Sequence, residues 1–242
     1  MLSYLANYAH LWGPLRLFSS HLFRAVMATG TALVIGFIIG PWLIGRFRAL
    51  KFGHGYIDER TGMLGATYFD KQHTPTMGGL IIFIAVFFSV VLWAEPNVWV
   101  VTAMFVYTTL TVPGWRDDYL KVVHKNNDGI KSWEKIAWQS FATVAALAFL
   151  LWHPQSSAKI HELWVPFFKT AIIPHMHWSL LLVLIYLWIV GFSNAINLTD
   201  GLDGLAVGCT ITVALVFGIM AYVADNSIAA QYLLLSYVPG TS

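Results

Sequence analysis

Charge is what this sequence has least of. Of its 242 residues only 11% are Asp, Glu, Lys or Arg, against 57% hydrophobic, where a soluble domain carries about 25% charged residues. So few charges cannot solvate the surface of a globular chain this long, which excludes an ordinary soluble enzyme. A single cysteine, Cys209, excludes an internal disulfide framework and a Cys-based zinc site. The formal net charge of +2 is too small for a nucleic-acid-binding surface. The N-terminal MLSYLANYAHLWGPLRLF has no basic stretch ahead of an apolar run, so a cleaved signal peptide is not expected. Repeats with a period of roughly 20–50 residues are lacking, as are Pro- or Ser-rich linkers and polar segments long enough to fold alone. The chain reads as one integral membrane domain over residues 1–242.

What is present is a series of long uncharged intervals. Arg24 and Arg46 bracket 21 residues, Lys71 and Glu95 bracket 23, and Glu95 and Arg116 bracket 20. Lys135 to Lys159 encloses 23, Lys169 to Asp200 encloses 30, and Asp203 to Asp225 encloses 21. A helix needs roughly 20 apolar residues to cross the hydrocarbon core. The expected fold is therefore all-α, a polytopic transmembrane helix bundle of about six spans.

Successive flanks of these spans must alternate sides. Loops 46–71 and 116–135 and segment 200–203 share one side and hold ten Lys and Arg. The N-terminal arm, the Glu95 turn, loop 159–169 and the tail after Asp225 share the other and hold four: Arg16, Arg24, Lys159 and Lys169. Positive residues are retained in the cytoplasm, which places the N-terminus outside. Trp93 and Trp99 on the outer side, with Trp115 and Trp133 on the inner, are expected as interfacial anchors. In the stretch 153–178, Pro154, Pro166 and Pro174 oppose a continuous helix, and its VPFF segment is expected at the interface.

The same alternation gathers four carboxylates at the cytosolic edge: Asp117 and Asp118 in GWRDDYLK, and Asp200 and Asp203 in NAINLTDGLDGLA. At a span's centre a charged Asp costs about 2.5–3.5 kcal/mol; at the edge it can face water and a charged substrate. Lys121 lies three and four residues beyond the first pair, on the same helix face, so these residues suit a phosphate beside a metal-binding or proton-accepting carboxylate. An ordinary ion pair at a solvated helix end is the plainer alternative. In the second segment Asn194, Asn197, Thr199, Asp200 and Asp203 put five oxygen-bearing side chains within ten residues. Asn197, Asp200 and Asp203 are spaced by three and would stack on one helix face. Hard oxygen donors with few positive neighbours suit Mg²⁺ together with substrate phosphates. Capping of the following span by Asp200 accounts for only one of the five. A third segment, KQHTPTMGGL, offers Lys71, Thr74 and Thr76 at the same mouth, with Gly78 and Gly79 allowing close helix packing.

Taken together, TPTMGG, DDYLK, VPFFK and NAINLTDGLDGLA resemble the polyprenyl-phosphate N-acetylhexosamine-1-phosphate transferase family, across the whole chain. TPTMGG with NLTDGLDGLA favours its muramoyl-pentapeptide branch over the N-acetylglucosamine branch. The resemblance implies transfer of phospho-MurNAc-pentapeptide from UDP-MurNAc-pentapeptide to undecaprenyl phosphate, giving lipid I and UMP, with Mg²⁺ as cofactor. It implies a multi-pass protein of the bacterial cytoplasmic membrane with its active site on the cytosolic face; a homodimer is compatible with it. Carried onto these positions, Asp117 and Asp118 become the catalytic acid pair and Lys121 a phosphate contact. Asn197 becomes a Mg²⁺ ligand, and Asn194, Asp200, Asp203, Lys71 and Thr76 line the substrate cleft.

Two local departures are His73, where the family has Gly, and Arg116, where it has an aliphatic residue. Family members also continue for about ten spans, through a third Asp in a Gly-Asp segment and a His-rich loop, so the chain is expected to be an N-terminal part. A transporter with ion-coupling acids and a non-catalytic membrane scaffold are the rival readings. Against a transporter, the acids gather at one edge rather than near the midplane, without an inverted repeat.

Overall fold

A computed structural model describes residues 1–49, 77–124, 129–165, 168–200 and 204–241. Two short 3₁₀ helices, Leu2–Tyr8 and Gly13–Ser19, lead into α1, His21–Ala49. There follow α2, Gly79–Trp93; α3, Val98–Val123; α4, Ser132–Trp152; and the short α5, Pro154–Ile160. The next span, α6, runs Trp178–Thr199, with a π-helical turn at Leu187–Gly191. Then come α7, Leu205–Ala224, and α8, Ser227–Tyr232. Among the described residues the only extended pairing is an isolated antiparallel bridge between Leu163 and Ile173. The fold is the expected polytopic helical bundle.

Five helices (α1, α3, α4, α6 and α7) are long and apolar enough to cross a bilayer. The remaining uncharged interval, Lys71 to Glu95, is occupied by α2, whose 15 residues reach only about 22 Å at 1.5 Å per residue. It starts late because Met77, immediately ahead of its N-cap, has a left-handed backbone with φ 75°.

Packing follows chain order. Leu43 and Phe47 of α1 enclose Met77, with Ile39, Leu80 and Ile81 against them. Gly40 faces the same contact, with Ile81 Cγ2 4.0 Å from where its Cβ would stand, room enough for a small side chain. Among the described residues no small-residue contact forms at Gly78 or Gly79: an added Cβ at either meets none of them within 4 Å. A second cluster joins Leu147 of α4 to Met176 and Leu181. Phe37 and Ile38 on α1, Leu187 on α6 and Leu215 and Ile219 on α7 are exposed, as lipid-facing side chains must be when burial gains nothing over hydrocarbon.

Polar contacts tie one end of the bundle together. His21 Nδ1 lies 2.8 Å from Asp225 Oδ2, and Arg24 Nη1 donates to Glu95 Oε2 at 3.1 Å. Asn97 caps α3 by accepting from Trp99 N and Val100 N, while its Nδ2 donates to the Gly240 carbonyl. The start of α1, the α2–α3 turn and the tail after Asp225 thus meet, the set the alternation of spans groups on one side. From Asn97 to Asp117, α3 rises about 30 Å, one hydrocarbon thickness.

One expectation at this end changes. Trp93 is buried rather than interfacial: its indole stacks on Phe18 at 5.8 Å and donates to Thr31 Oγ1 at 2.9 Å. Segment 153–178 forms no continuous helix among its described residues, as its prolines imply. Pro154 sits in the first turn of α5, where it has no N–H to leave unpaired, and His153 caps that helix by accepting from Gln155 N. Of VPFF, Pro166 and Phe167 lie outside the described residues. Arg24 is buried while the Glu95 side chain is 62% exposed. Glu95→Gln should therefore cost only about 1 kcal/mol or less, seen as a small fall in Tm with helix content unchanged.

Candidate active site

The opposite end holds the chemistry-bearing residues. In α3, Pro113 and Gly114 precede the last turns, where Trp115 stacks on Tyr119 at 5.4 Å. Asp117 and Lys121 are one turn apart, and Lys121 Nζ donates to Asp117 Oδ2 at 2.7 Å. The other carboxylate oxygen, Oδ1, accepts from the Ile130 backbone N–H at 2.8 Å. An i,i+4 pair this exposed contributes only about 0.3–0.5 kcal/mol to stability, so its consequence is positional. The carboxylate is fixed from two sides and the ammonium is held beside it.

Gly129 makes the second anchor geometrically available. With φ +62° it turns the chain so that Ile130 N–H faces Asp117, and a Cβ there would collide with Asp117 Oδ1. Asp118 is half-buried on the neighbouring face of α3 and is not among the cleft-lining residues. Arg116, expected beside the acid pair, turns to α4, where its Nη1 lies 3.7 Å from Glu134 Oε2.

The facing wall comes from α4 and α6. Gln139, buried in α4, donates through Nε2 to Ser193 Oγ at 3.0 Å and accepts from Asn194 Nδ2 at 2.9 Å. Asn194 lies three residues beyond the π turn, a feature frequent at functional sites. The helix ends at Thr199, with Asp200 at its C-cap (φ −78°, ψ 45°). Asn197 and Asp200, three apart, both line the cleft, and the third member of the expected ladder, Asp203, lies outside the described residues. One expectation is corrected: Asp200 does not cap α7, whose N-cap is Gly204 in a left-handed conformation, with no side-chain cap. An exposed carboxylate at a helix C-terminus opposes the macrodipole and is relieved by an approaching cation.

These walls enclose a cleft of about 790 Å³, lined among others by Asp117, Lys121, Lys135, Gln139, Asn194, Asn197 and Asp200. Of the residues singled out from sequence, the structure brings together Asp117, Lys121, Asn194, Asn197 and Asp200. Lys71, Thr76, Asp203 and the departure at His73 lie outside the described residues. Sequence reasoning missed Gly129, Lys135, Gln139 and Ser193. The cleft is mixed in character: Asp117, Lys121, Lys135 and Asp200 are charged, whereas Gln139, Tyr186, Ser193 and Asn194 are polar and uncharged. Such a cleft suits a ligand that carries both anionic and neutral polar groups.

Comparison with known proteins supplies a context for this geometry. The family described as glycosyl transferase family 4 matches residues 98–240, and a phospho-N-acetylmuramoyl-pentapeptide-transferase signature matches residues 71–83. The phospho-N-acetylmuramoyl-pentapeptide-transferase of Opitutus terrae is 70% identical over 241 residues, which cover 100% of this chain and 65% of that protein. The chain thus spans just under two thirds of that relative's length.

Proposed function

The chain belongs to glycosyl transferase family 4, and from that membership we propose that it transfers phospho-MurNAc-pentapeptide from UDP-MurNAc-pentapeptide to undecaprenyl phosphate. The products are lipid I and UMP. The observation that carries the reading is the convergence of Asp117, Lys121, Asn194, Asn197 and Asp200 on one cleft at one end of the bundle. One substrate is water-soluble and the other carries its phosphate at the bilayer surface, so the reaction belongs where these residues lie.

In the proposed reaction a lipid phosphate oxygen attacks the sugar-bearing phosphorus of the UDP-sugar. A new P–O bond forms, the bond from that phosphorus to the bridging oxygen breaks, and the electron pair leaves with UMP. Such a transfer depends on positioning and charge neutralisation more than on covalent help from the protein. Asp117, the member of the acid pair that lines the cleft, accepts any residual proton of the lipid phosphate and holds its oxygen in line. Lys121 and Lys135 face the transferring phosphates.

Mg²⁺ fits the donor set as an expected cofactor. Asn197 and the exposed carboxylate of Asp200 supply hard oxygens, and Mg²⁺ is ordinarily held by one or two protein oxygens plus substrate phosphates and water. When bound it would neutralise charge on the diphosphate. The signature over residues 71–83 and the Opitutus relative favour the muramoyl-pentapeptide donor over other sugar-1-phosphate transferases.

The charge asymmetry between flanks supports a cytosolic cleft in the bacterial cytoplasmic membrane. Inside-out vesicles containing the intact protein and undecaprenyl phosphate should release UMP from added UDP-MurNAc-pentapeptide. Sealed right-side-out vesicles should do so only after permeabilisation. Uptake of the nucleotide-sugar without UMP release would instead indicate a transporter, and binding without turnover a scaffold.

A further inference from the structure

Gln139 is an uncharged polar residue in the middle of a spanning helix, 1% exposed, and nothing in the proposed reaction uses it directly. Its surroundings fix an orientation that hydrogen-bond bookkeeping reads without ambiguity. One terminal atom of Asn194 lies 2.8 Å from the Val190 carbonyl oxygen, which can only accept, so that atom is Nδ2. The same Nδ2 lies 2.9 Å from a terminal atom of Gln139, which must then be Oε1. Gln139 Nε2 therefore faces Ser193 Oγ, at 3.0 Å.

Two hydrogens are all that Nδ2 carries, and both are spent inside the protein. The function Asn194 has left is its carbonyl oxygen, on a side chain that lines the cleft. Asn194 can accept a hydrogen bond there and cannot donate one. Its cleft neighbours Gln139, Tyr186 and Ser193 carry no charge, whereas Asp117 and Lys121 belong to α3 on the facing wall.

We propose that Gln139 is a positioning residue that locks the Asn194 amide as an acceptor for an uncharged N–H or O–H donor of the nucleotide-sugar. This rests on the transferase reading above. It makes Asn194 a recognition residue for a neutral part of the substrate, with the anionic groups held elsewhere. Gln139→Met keeps the length of the side chain and removes its acceptor. Gln139→Glu retains an oxygen that accepts from Asn194.

The test is steady-state kinetics of the intact protein in detergent with UDP-MurNAc-pentapeptide and undecaprenyl phosphate, for Gln139→Met, Gln139→Glu, Asn194→Ala and the Gln139→Met/Asn194→Ala pair. Gln139→Met should raise KM for the nucleotide-sugar about tenfold, the size of one hydrogen bond. Its kcat and half-activating Mg²⁺ concentration should remain within about threefold, a margin below that single-bond effect. Gln139→Glu should restore KM to within the same margin. In the Asn194→Ala background Gln139→Met should have no further effect on KM, since two changes acting through one contact do not add.

An unchanged KM in Gln139→Met overturns the proposal, as does a KM rise that persists in the Asn194→Ala background or a loss confined to kcat. Should Gln139→Met lack a cooperative melt, Ser193→Ala frees the other end of the same amide. It should raise KM in the same direction, again only when Asn194 is present, and failure of either result counts against the proposal. Wild-type protein that releases no UMP removes the transferase reading and this inference together, whereas active wild type with indifferent variants removes the inference alone.

Discussion

Asp117→Asn should lower kcat for UMP release by at least about 100-fold, the lower range for loss of a positioned acid–base group, while membrane insertion and helix content stay unchanged. The side chains are nearly isosteric, so the argument rests on donors and acceptors. Both Asp117 oxygens accept, one from Lys121 Nζ and one from the Ile130 N–H. An asparagine has one acceptor and one donor, so whichever way the amide turns, either the ammonium or the backbone N–H faces another donor. The carboxylate charge at the cleft wall is lost as well. Single-turnover measurement of UMP release, with a melting curve as the control for folding, reads both effects. Undiminished turnover would remove Asp117 from the reaction.

Gly129→Ala should be nearly as damaging, although the residue touches no substrate. The added methyl group would collide with Asp117 Oδ1 and lie 2.7 Å from Lys121 Cε. The left-handed backbone at φ +62° adds about 1–2 kcal/mol of strain for any residue with a Cβ. Relief requires either the loop or the carboxylate to move, and misplacement of about 1 Å near the reacting groups can cost about 100-fold in rate. Gly240→Ala is the matched control. Its φ is +82° and its Cβ would press on Asn97 Nδ2 at 3.2 Å, but at the opposite end of the bundle. It should lower Tm and leave kcat alone. Equal kinetic effects of the two substitutions would show that Gly129 acts through general destabilisation.

The helical architecture was legible because lipid forbids charge over long stretches, and the sequence obeys that rule at every span. Where an interval and a helix differ, as in α2, the cause is a local backbone turn at Met77 that hydropathy does not register. Asp117, Lys121 and Asp200 announced themselves as charges at a membrane edge. Gln139 and Ser193 did not, because counting charges passes over neutral polar groups. A glutamine within a spanning segment was a readable signal nonetheless, since its amide must find partners inside the protein. Gly129 carried only the generic turn signature of an Asp-Gly pair. Its closeness to Asp117 is a tertiary fact joining positions 12 residues apart. The three-residue spacing of Asn197 and Asp200 was informative, since both line the cleft, whereas Asp200 as a cap of the next span was not, because spacing alone does not say where that helix starts.

The π turn at Leu187–Gly191 has a further consequence for α6. A hydrogen-bond ring enlarged by one residue displaces all that follows by one step, about 100° around the axis at 3.6 residues per turn. Above the turn, Leu181 faces the core; below it, Ser193, Asn194 and Asn197 face the cleft. Tyr186, just ahead of the turn, also lines the cleft, so the turn lies within one cleft face that runs along the span. What aims the lower half is the number of residues in the turn rather than their chemical identity. Side chains there can drift among apolar types, while an insertion or deletion of one residue would swing the recognition face toward lipid.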